Sequence, residues 1–269
     1  MTSSKRNLWV TFDLWGTLFI DRPELDDARN RIRCDRMCQV LSESGVKVSG
    51  EDMKKGYEQT ATQFQAIWRS NQELLTMEQI RLIMNAAGLW DFILDSGTAR
   101  KLESAYVDPI FDAPPELNGD AMTTLQKMRN QVRGIGLISN TGRCPGAALR
   151  ELLRKYGVLG FFDSTVFSDE VGSRKPDRQI FEKAVTALGT DPAKVVHIGD
   201  DPEADAWGAK NAGMKALLFD YPIPEGFKNR PSSLFALSRS DRRVPDSEIK
   251  PDGRISSLSE ALDFLDAQN

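Results

Sequence analysis

The 269-residue chain has a single histidine, His197, and three cysteines, Cys34, Cys38 and Cys144. One imidazole excludes chemistry that needs several, such as a multi-histidine zinc site. Three cysteines are too few for a disulfide framework and suit a reducing compartment. Cys34 and Cys38 stand one helical turn apart, like half of a metal site, but no further cysteine or histidine completes it, so both read as packing residues. No run approaches the ~18 apolar residues of a membrane span, and the opening MTSSKRNLWV lacks the apolar stretch of a signal peptide. These absences lead us to expect a cytoplasmic chain with no membrane partner, working as a monomer or homodimer. An excess of one charge is lacking too: 35 Lys and Arg against 39 Asp and Glu give a net charge of −4. Nothing in that balance calls for nucleic acid, and an anionic substrate would have to be attracted by a metal ion and a few placed cations.

What is present is an ordinary globular balance, 40% hydrophobic and 28% charged residues, on a chain long enough for one large domain or a core plus a smaller module. Leu8 to Leu14 is apolar and partly β-branched, which predicts a buried strand broken by Gly16-Thr17. From 23 to 108 the apolar residues fall at three- and four-residue spacing, predicting four helices near 23–44, 50–70, 76–87 and 97–108. Residues 112–118, with Pro114 and Pro115, read as a linker. Strands are then predicted at Gly134–Ile138, Ser164–Phe167, Lys194–Ile198 and Lys215–Phe219. Helices near 119–130, 145–155, 176–188 and 203–212 alternate with them. That alternation predicts an α/β fold, a doubly wound parallel sheet with helices on both faces. Pro222 to Gly253 reads as a polar loop, and Ser257 to Asp266 as a closing helix. The domains follow: a core of 1–20 and 112–269, interrupted by a helical cap of 21–111.

Ligands of open α/β sheets sit at the carboxyl ends of the strands, and three predicted strands end in polar groups there. The first ends in Asp13-Leu14-Trp15-Gly16-Thr17, another in Ser139-Asn140-Thr141-Gly142, and a third in Gly199-Asp200-Asp201 with Asp205 close behind. A fourth element, Ser173-Arg174-Lys175-Pro176-Asp177, opens a helix with a lysine. Asp13 reads as an exposed carboxylate beside a tight turn and so as a potential nucleophile. Ser139 and Asn140 can hold phosphoryl oxygens, though such residues also favour turns. Lys175 can neutralise phosphate and carboxylate, and Asp200 and Asp201 supply hard oxygen ligands of the kind magnesium (Mg2+) accepts.

In this order, DxxGT, SNT, KPD and GDDPxxD, the motifs resemble those of the haloacid dehalogenase superfamily, and residues 20–111 lie where that family inserts a helical cap. The resemblance implies a Rossmann-like core and a hydrolase acting on a small phosphorylated metabolite. Asp13 would attack phosphorus in line, and water would hydrolyse the aspartyl-phosphate. It further implies that Ser139 and Asn140 bind phosphoryl oxygens beside Thr17, and that Lys175 steadies the nucleophile. Asp13, the Trp15 carbonyl, Asp200 and Asp201 would surround magnesium, with Asp205 in the first or second layer around it.

One position departs from the pattern. Phosphatases of the family carry a second aspartate two residues after the nucleophile, as general acid and base; here it is Trp15. An indole cannot transfer that proton, and general acid–base catalysis is worth ~10²–10⁴-fold. Two other readings therefore stay open: a 2-haloacid dehalogenase-like hydrolase, whose branch often has an aromatic residue here, or a catalytically weakened phosphate-binding protein. The acidic group after the third strand favours phosphoryl chemistry, because dehalogenases need no metal.

Other residues receive plainer readings. Glu203 reads as a helix-start acid complementing the macrodipole. His197, inside a strand, should point into the protein body. Trp68 and Trp90 read as cap core. Arg22, Arg29 and Arg33 could reach an anionic substrate from the cap, but arginines on a helix read first as solvated surface.

Overall fold

The computed structural model describes residues 5–90, 92–221, 224–227 and 242–267. Its elements in chain order begin with strand β1 (Arg6–Phe12), β2 (Phe19–Ile20), and helices α1 (Pro23–Glu43), α2 (Gly50–Arg69), α3 (Thr76–Ala86), α4 (Ser96–Val107) and α5 (Pro109–Asp112). Then come β3 (Glu116–Leu117), α6 (Ala121–Gln131), β4 (Val132–Ser139), α7 (Gly146–Lys155), β5 (Ser164–Phe167), α8 (Ser168–Val171) and α9 (Arg178–Ala187). Strand β6 (Val195–Gly199), a π-helical turn at Pro202–Trp207, α10 (Gly208–Asn211), β7 (Lys215–Phe219), β8 (Gly253–Ile255) and α11 (Glu260–Asp266) complete the series.

Six strands form one sheet in the order β5-β4-β1-β6-β7-β8, and every pairing is parallel. The chain builds outward from β1 in one direction through β4 and β5, then in the other through β6, β7 and β8. The sheet is thus doubly wound about β1, as expected. Alternation along each strand sends side chains to two separate cores. Val196 and Ile198 of β6, with Leu217 and Phe219 of β7, pack with α6, α7 and α11. Val195 of β6, with Ala216 and Leu218 of β7, packs with α9 and α10.

Helices α1 to α4 make a third core of their own around Met37, Tyr57, Phe64, Ile80 and Leu102. The chain leaves the sheet for these helices and returns to it across the antiparallel β2–β3 ribbon. Asn118 ties the two crossings together, its amide donating to the Thr17 carbonyl (2.9 Å).

Several expectations need correction. The first strand ends at Phe12: Asp13 still gives its N–H to the Ile198 carbonyl (2.8 Å), but the Leu14 carbonyl leaves the ladder to accept the Leu18 and Phe19 N–H groups. Gly16 makes that turn at φ 79°, a conformation glycine adopts without steric cost. The 112–118 linker contains β3, and the helix expected at 203–212 divides into the π-turn and α10. Half of the 222–253 loop, 222–223 and 228–241, lies outside the described residues, and its last residue, Gly253, opens the edge strand β8. Trp90, read as cap core, is 72% exposed. Arg29 and Arg33, read as surface, are buried.

Candidate active site

Parallel register brings the polar strand ends to one level. Phe12 pairs with Leu137 on one side and Ile198 on the other, so Asp13, Ser139 and Asp200 leave the sheet within a residue or two of each other. Lys175 reaches them from the segment preceding α9. Its ammonium is buried and has three acceptors: Asp13 Oδ1 at 2.5 Å, Asp205 Oδ1 at 2.6 Å and the Ile138 carbonyl at 2.8 Å. All three ammonium protons are therefore used.

Asp205 collects several hydrogen bonds. Its Oδ1 faces both Lys175 and His197 Nε2 (3.1 Å), and its Oδ2 accepts the Asp201 N–H (2.9 Å). His197 is held on its other side by Thr11 Oγ1 (2.9 Å) and edge-on by Phe181. Burial depresses the His197 pKa, so the ring is neutral at physiological pH.

The two carboxylates sharing Lys175 titrate oppositely. Burial pushes Asp13 up to about 7, against the pull of Lys175 and with a further push from Asp205. Burial also opposes ionisation of Asp205, but Lys175 and the His197 hydrogen bond outweigh it and hold Asp205 well below the carboxylate range.

Asp13, Asp200 and Asp205 each bring a carboxylate oxygen within 4.8 Å of the others. Lys175 brings one positive charge to three carboxylates, and His197 brings none. That excess of negative charge on hard oxygens fits a divalent cation of the magnesium type. The membership differs from the sequence expectation. Asp201, expected as a ligand, turns Oδ1 to the Glu203 and Ala204 N–H groups (2.9 Å each) and caps the π-turn. Asp205, expected in the first or second layer around the metal, is the third carboxylate of the group.

The other expected site residues fall around this group. Asn140 brackets the lysine segment: its Oδ1 accepts the Lys175 N–H (2.7 Å) and its amide donates to the Lys175 carbonyl (3.0 Å). Its side chain thus positions Lys175 rather than lying free for phosphoryl oxygens. Ser139 is fully buried with its hydroxyl directed at the Asn140 carbonyl (3.3 Å). Thr17 Oγ1 approaches Asp200 at 3.5 Å, the outer limit of a hydrogen bond. Trp15 packs edge-on against Phe19 and lines the cavity above Asp13.

That cavity, about 260 Å³, lies between the sheet and the cap helices and includes Asp13, Lys175 and Asp200 in its wall. Helices α1 to α4 are fastened over it by groups that the sequence does not single out. Arg174, adjacent to Lys175, is buried against Glu73 (2.5 Å) and donates to the Thr141 carbonyl (2.7 Å), with Trp68 stacked 4.4 Å away. Gln79 donates to the Gly142 carbonyl (3.0 Å). Arg143, from the loop after β4, inserts into the cap with its guanidinium 3.8 Å over the Tyr57 ring. The only sequence signal for these arginines was their adjacency to motif residues.

The profile of the haloacid dehalogenase-like hydrolases matches residues 9–213, which spans β1 to α10 and every group just described. The chain belongs to that family. Among sequence relatives, the glyceraldehyde 3-phosphate phosphatase of Methanothermobacter thermautotrophicus is 37% identical over 105 residues, 38% of this chain and 44% of the relative. The phosphoserine phosphatase of Thermus thermophilus is 31% identical over 130 residues, 48% of this chain and 44% of the relative. The matched stretches thus span less than half the length of either relative. A solved 2-haloacid dehalogenase from Pseudomonas syringae superposes over 98% of this chain and 100% of its own with a TM-score of 0.63. At 20% identity, that likeness establishes the fold of this haloacid dehalogenase-like hydrolase and nothing about its substrate.

Proposed function

We propose that the protein is a metal-dependent phosphohydrolase that cleaves small phosphate esters or anhydrides through a covalent intermediate on Asp13. The observation that carries this reading is the convergence of Asp13, Asp200 and Asp205 around Lys175 at the floor of a covered cavity. A dehalogenase attacking carbon has no use for a third carboxylate beside its nucleophile. The phosphatase names of the two sequence relatives agree with this reading.

Asp13, Asp200 and Asp205 would hold magnesium, which when bound supplies charge neutralisation for the phosphoryl oxygens and keeps the carboxylates ionised. Lys175 fixes the Asp13 carboxylate and cancels part of its charge, so that an anionic phosphoryl group can approach. Asp13 then attacks phosphorus, the bond to the leaving oxygen breaks, and water later cleaves the acyl phosphate to regenerate the carboxylate. Asn140 sets the lysine, and the His197–Asp205 contact sets Asp205. The cap excludes bulk water from the cavity during these steps.

Trp15 leaves the usual proton donor absent. The leaving group must then depart with little help, so phosphates with acidic leaving groups, such as acyl and aryl phosphates, are the favoured substrates. The test is phosphate release from alkyl, aryl and acyl phosphates, with and without magnesium, alongside Asp13→Asn. Release that needs both magnesium and Asp13 is expected. Halide release from 2-haloacids that persists in chelator, with no phosphate release, would overturn the reading.

A further inference from the structure

Among the described residues, two arginines in the wall of this cavity are buried without a counter-ion. Arg33 of α1 is 2% exposed and Arg143 is 8% exposed. Arg33 meets only neutral acceptors. Nε donates to the Tyr106 carbonyl (2.7 Å), Nη1 to Tyr57 Oη (3.1 Å) and Asn30 Oδ1 (3.2 Å), and Nη2 points at Cys144 Sγ (3.5 Å). Arg143 Nη1 donates to Tyr106 Oη (3.1 Å), and its Nη2 has no hydrogen-bond partner among the described residues. Among the described residues, neither guanidinium has a carboxylate within ion-pair distance. The other buried arginines nearby do: Arg29 pairs with Asp21, and Arg174 with Glu73.

A buried cation without an anion is costly, and structures avoid it unless something else supplies the negative charge. The Tyr57 and Phe64 rings, 3.8 and 5.0 Å from the Arg143 guanidinium, cover its faces, but a ring face cannot accept the in-plane Nη2 protons. Both arginines line the cavity that contains Asp13 and Lys175, on the wall made by α1 and the loop after β4. We infer that Arg33 and Arg143 form the receptor for a second anionic group of the substrate. The substrate class is then a small phosphate compound whose far end carries a carboxylate or another phosphate. Arg143 makes the primary contact; its unpaired Nη2 is enclosed in this structure, so the side chain turns to present it to the anion, and Arg33 supplies charge behind it. The inference rests on the phosphohydrolase reading for its turnover assay but not for its binding assay.

The test uses matched pairs of aryl phosphates on the whole protein with magnesium: 4-carboxyphenyl phosphate against phenyl phosphate, and hydroquinone bisphosphate against hydroquinone monophosphate. Each pair changes the distal charge and little else. One charge-assisted contact to an arginine corresponds to about 10- to 100-fold in kcat/KM, expressed mainly in KM. In Arg143→Met that preference should fall to within about threefold, and Arg143→Lys should restore part of it, which a merely structural role for the side chain would not do. The two arms separate the sources, since preference in only the carboxylate pair or only the bisphosphate pair names the anion. Equal kcat/KM within both pairs in the wild type overturns the inference and leaves the hydrolase reading standing. If no compound is turned over, thermal stabilisation of the wild type decides. Stabilisation by the distally charged members alone, lost in Arg143→Met, upholds the inference while the hydrolase reading fails; equal stabilisation within pairs overturns it.

Discussion

Replacing Lys175 by methionine removes the cation that holds the site together and keeps the volume of its stem. Three acceptors lose their donor at once, the Asp13 and Asp205 carboxylates and the Ile138 carbonyl, all in a buried setting. Breaking a buried ion pair from one side costs ~3–5 kcal/mol, because the abandoned charge remains buried. In a chain of this size each kcal/mol shifts the melting temperature by ~2–4 °C, so Lys175→Met should melt about 6–20 °C lower than the wild type in metal-free buffer. The deficit should also depend on pH in a defined direction. Asp13 is already raised to about 7 with Lys175 present, and without it the folded-state pKa rises further above the unfolded value. The native variant then binds a proton that the unfolded chain does not, and its stability falls as pH rises through the interval between those values. The loss relative to wild type should accordingly be smaller at pH about 5 than at pH about 8, and added magnesium should recover part of it at the higher pH. Differential scanning calorimetry at the two pH values measures all of this. A melting temperature within about 2 °C of wild type, or a deficit that grows on acidification, would refute the electrostatic account of the site.

Three more outcomes follow from the same geometry. Trp15→Asp should raise turnover of alkyl phosphates by about 10²-fold or more and of aryl phosphates much less, as read by kcat; equal gains for both would mean that proton donation is not what position 15 lacks. Glu73→Gln strands Arg174 beside the lysine segment and loosens the cap, so chemical denaturation should show a loss of about 3 kcal/mol and substrate KM should rise. Burial pushes the Cys34 thiol up to about 12, so at pH about 8 a thiol reagent should leave Cys34 unmodified in the native protein and label it only after denaturation.

Much of this site is legible in the sequence, for reasons that can be named. Asp13 and Ser139 follow apolar strands, Lys175 precedes a helix, and strand ends of a parallel sheet meet at one edge whatever the loops do. The choice between Asp201 and Asp205 is not legible. A side chain four residues along returns to the same face, and only the π-turn at Pro202–Trp207 decides which carboxylate looks at Lys175 and which caps a backbone. Arg33 reads as surface because a charged residue on a helix is normally solvated, yet α1 buries Arg29, Arg33, Met37 and Leu41, four residues apart along one stripe. The arginines break the apolar periodicity that would have marked the buried face. Arg143 gave no signal of its own, since its burial depends on Tyr57 and Phe64 arriving from the cap. β8 is three residues long and follows a polar stretch, too short for alternation to show.

Turnover by this route requires Asp13 to become covalently phosphorylated. The most direct measurement is to mix the protein with magnesium and a phosphate ester or anhydride it turns over, quench in acid, reduce with borohydride and sequence the peptide containing residue 13 by mass spectrometry. Reduction converts an acyl phosphate to an alcohol, so homoserine in place of aspartate at position 13 is the predicted result. Continued turnover with Asp13 recovered unchanged, under conditions that trap acyl phosphates, would contradict it.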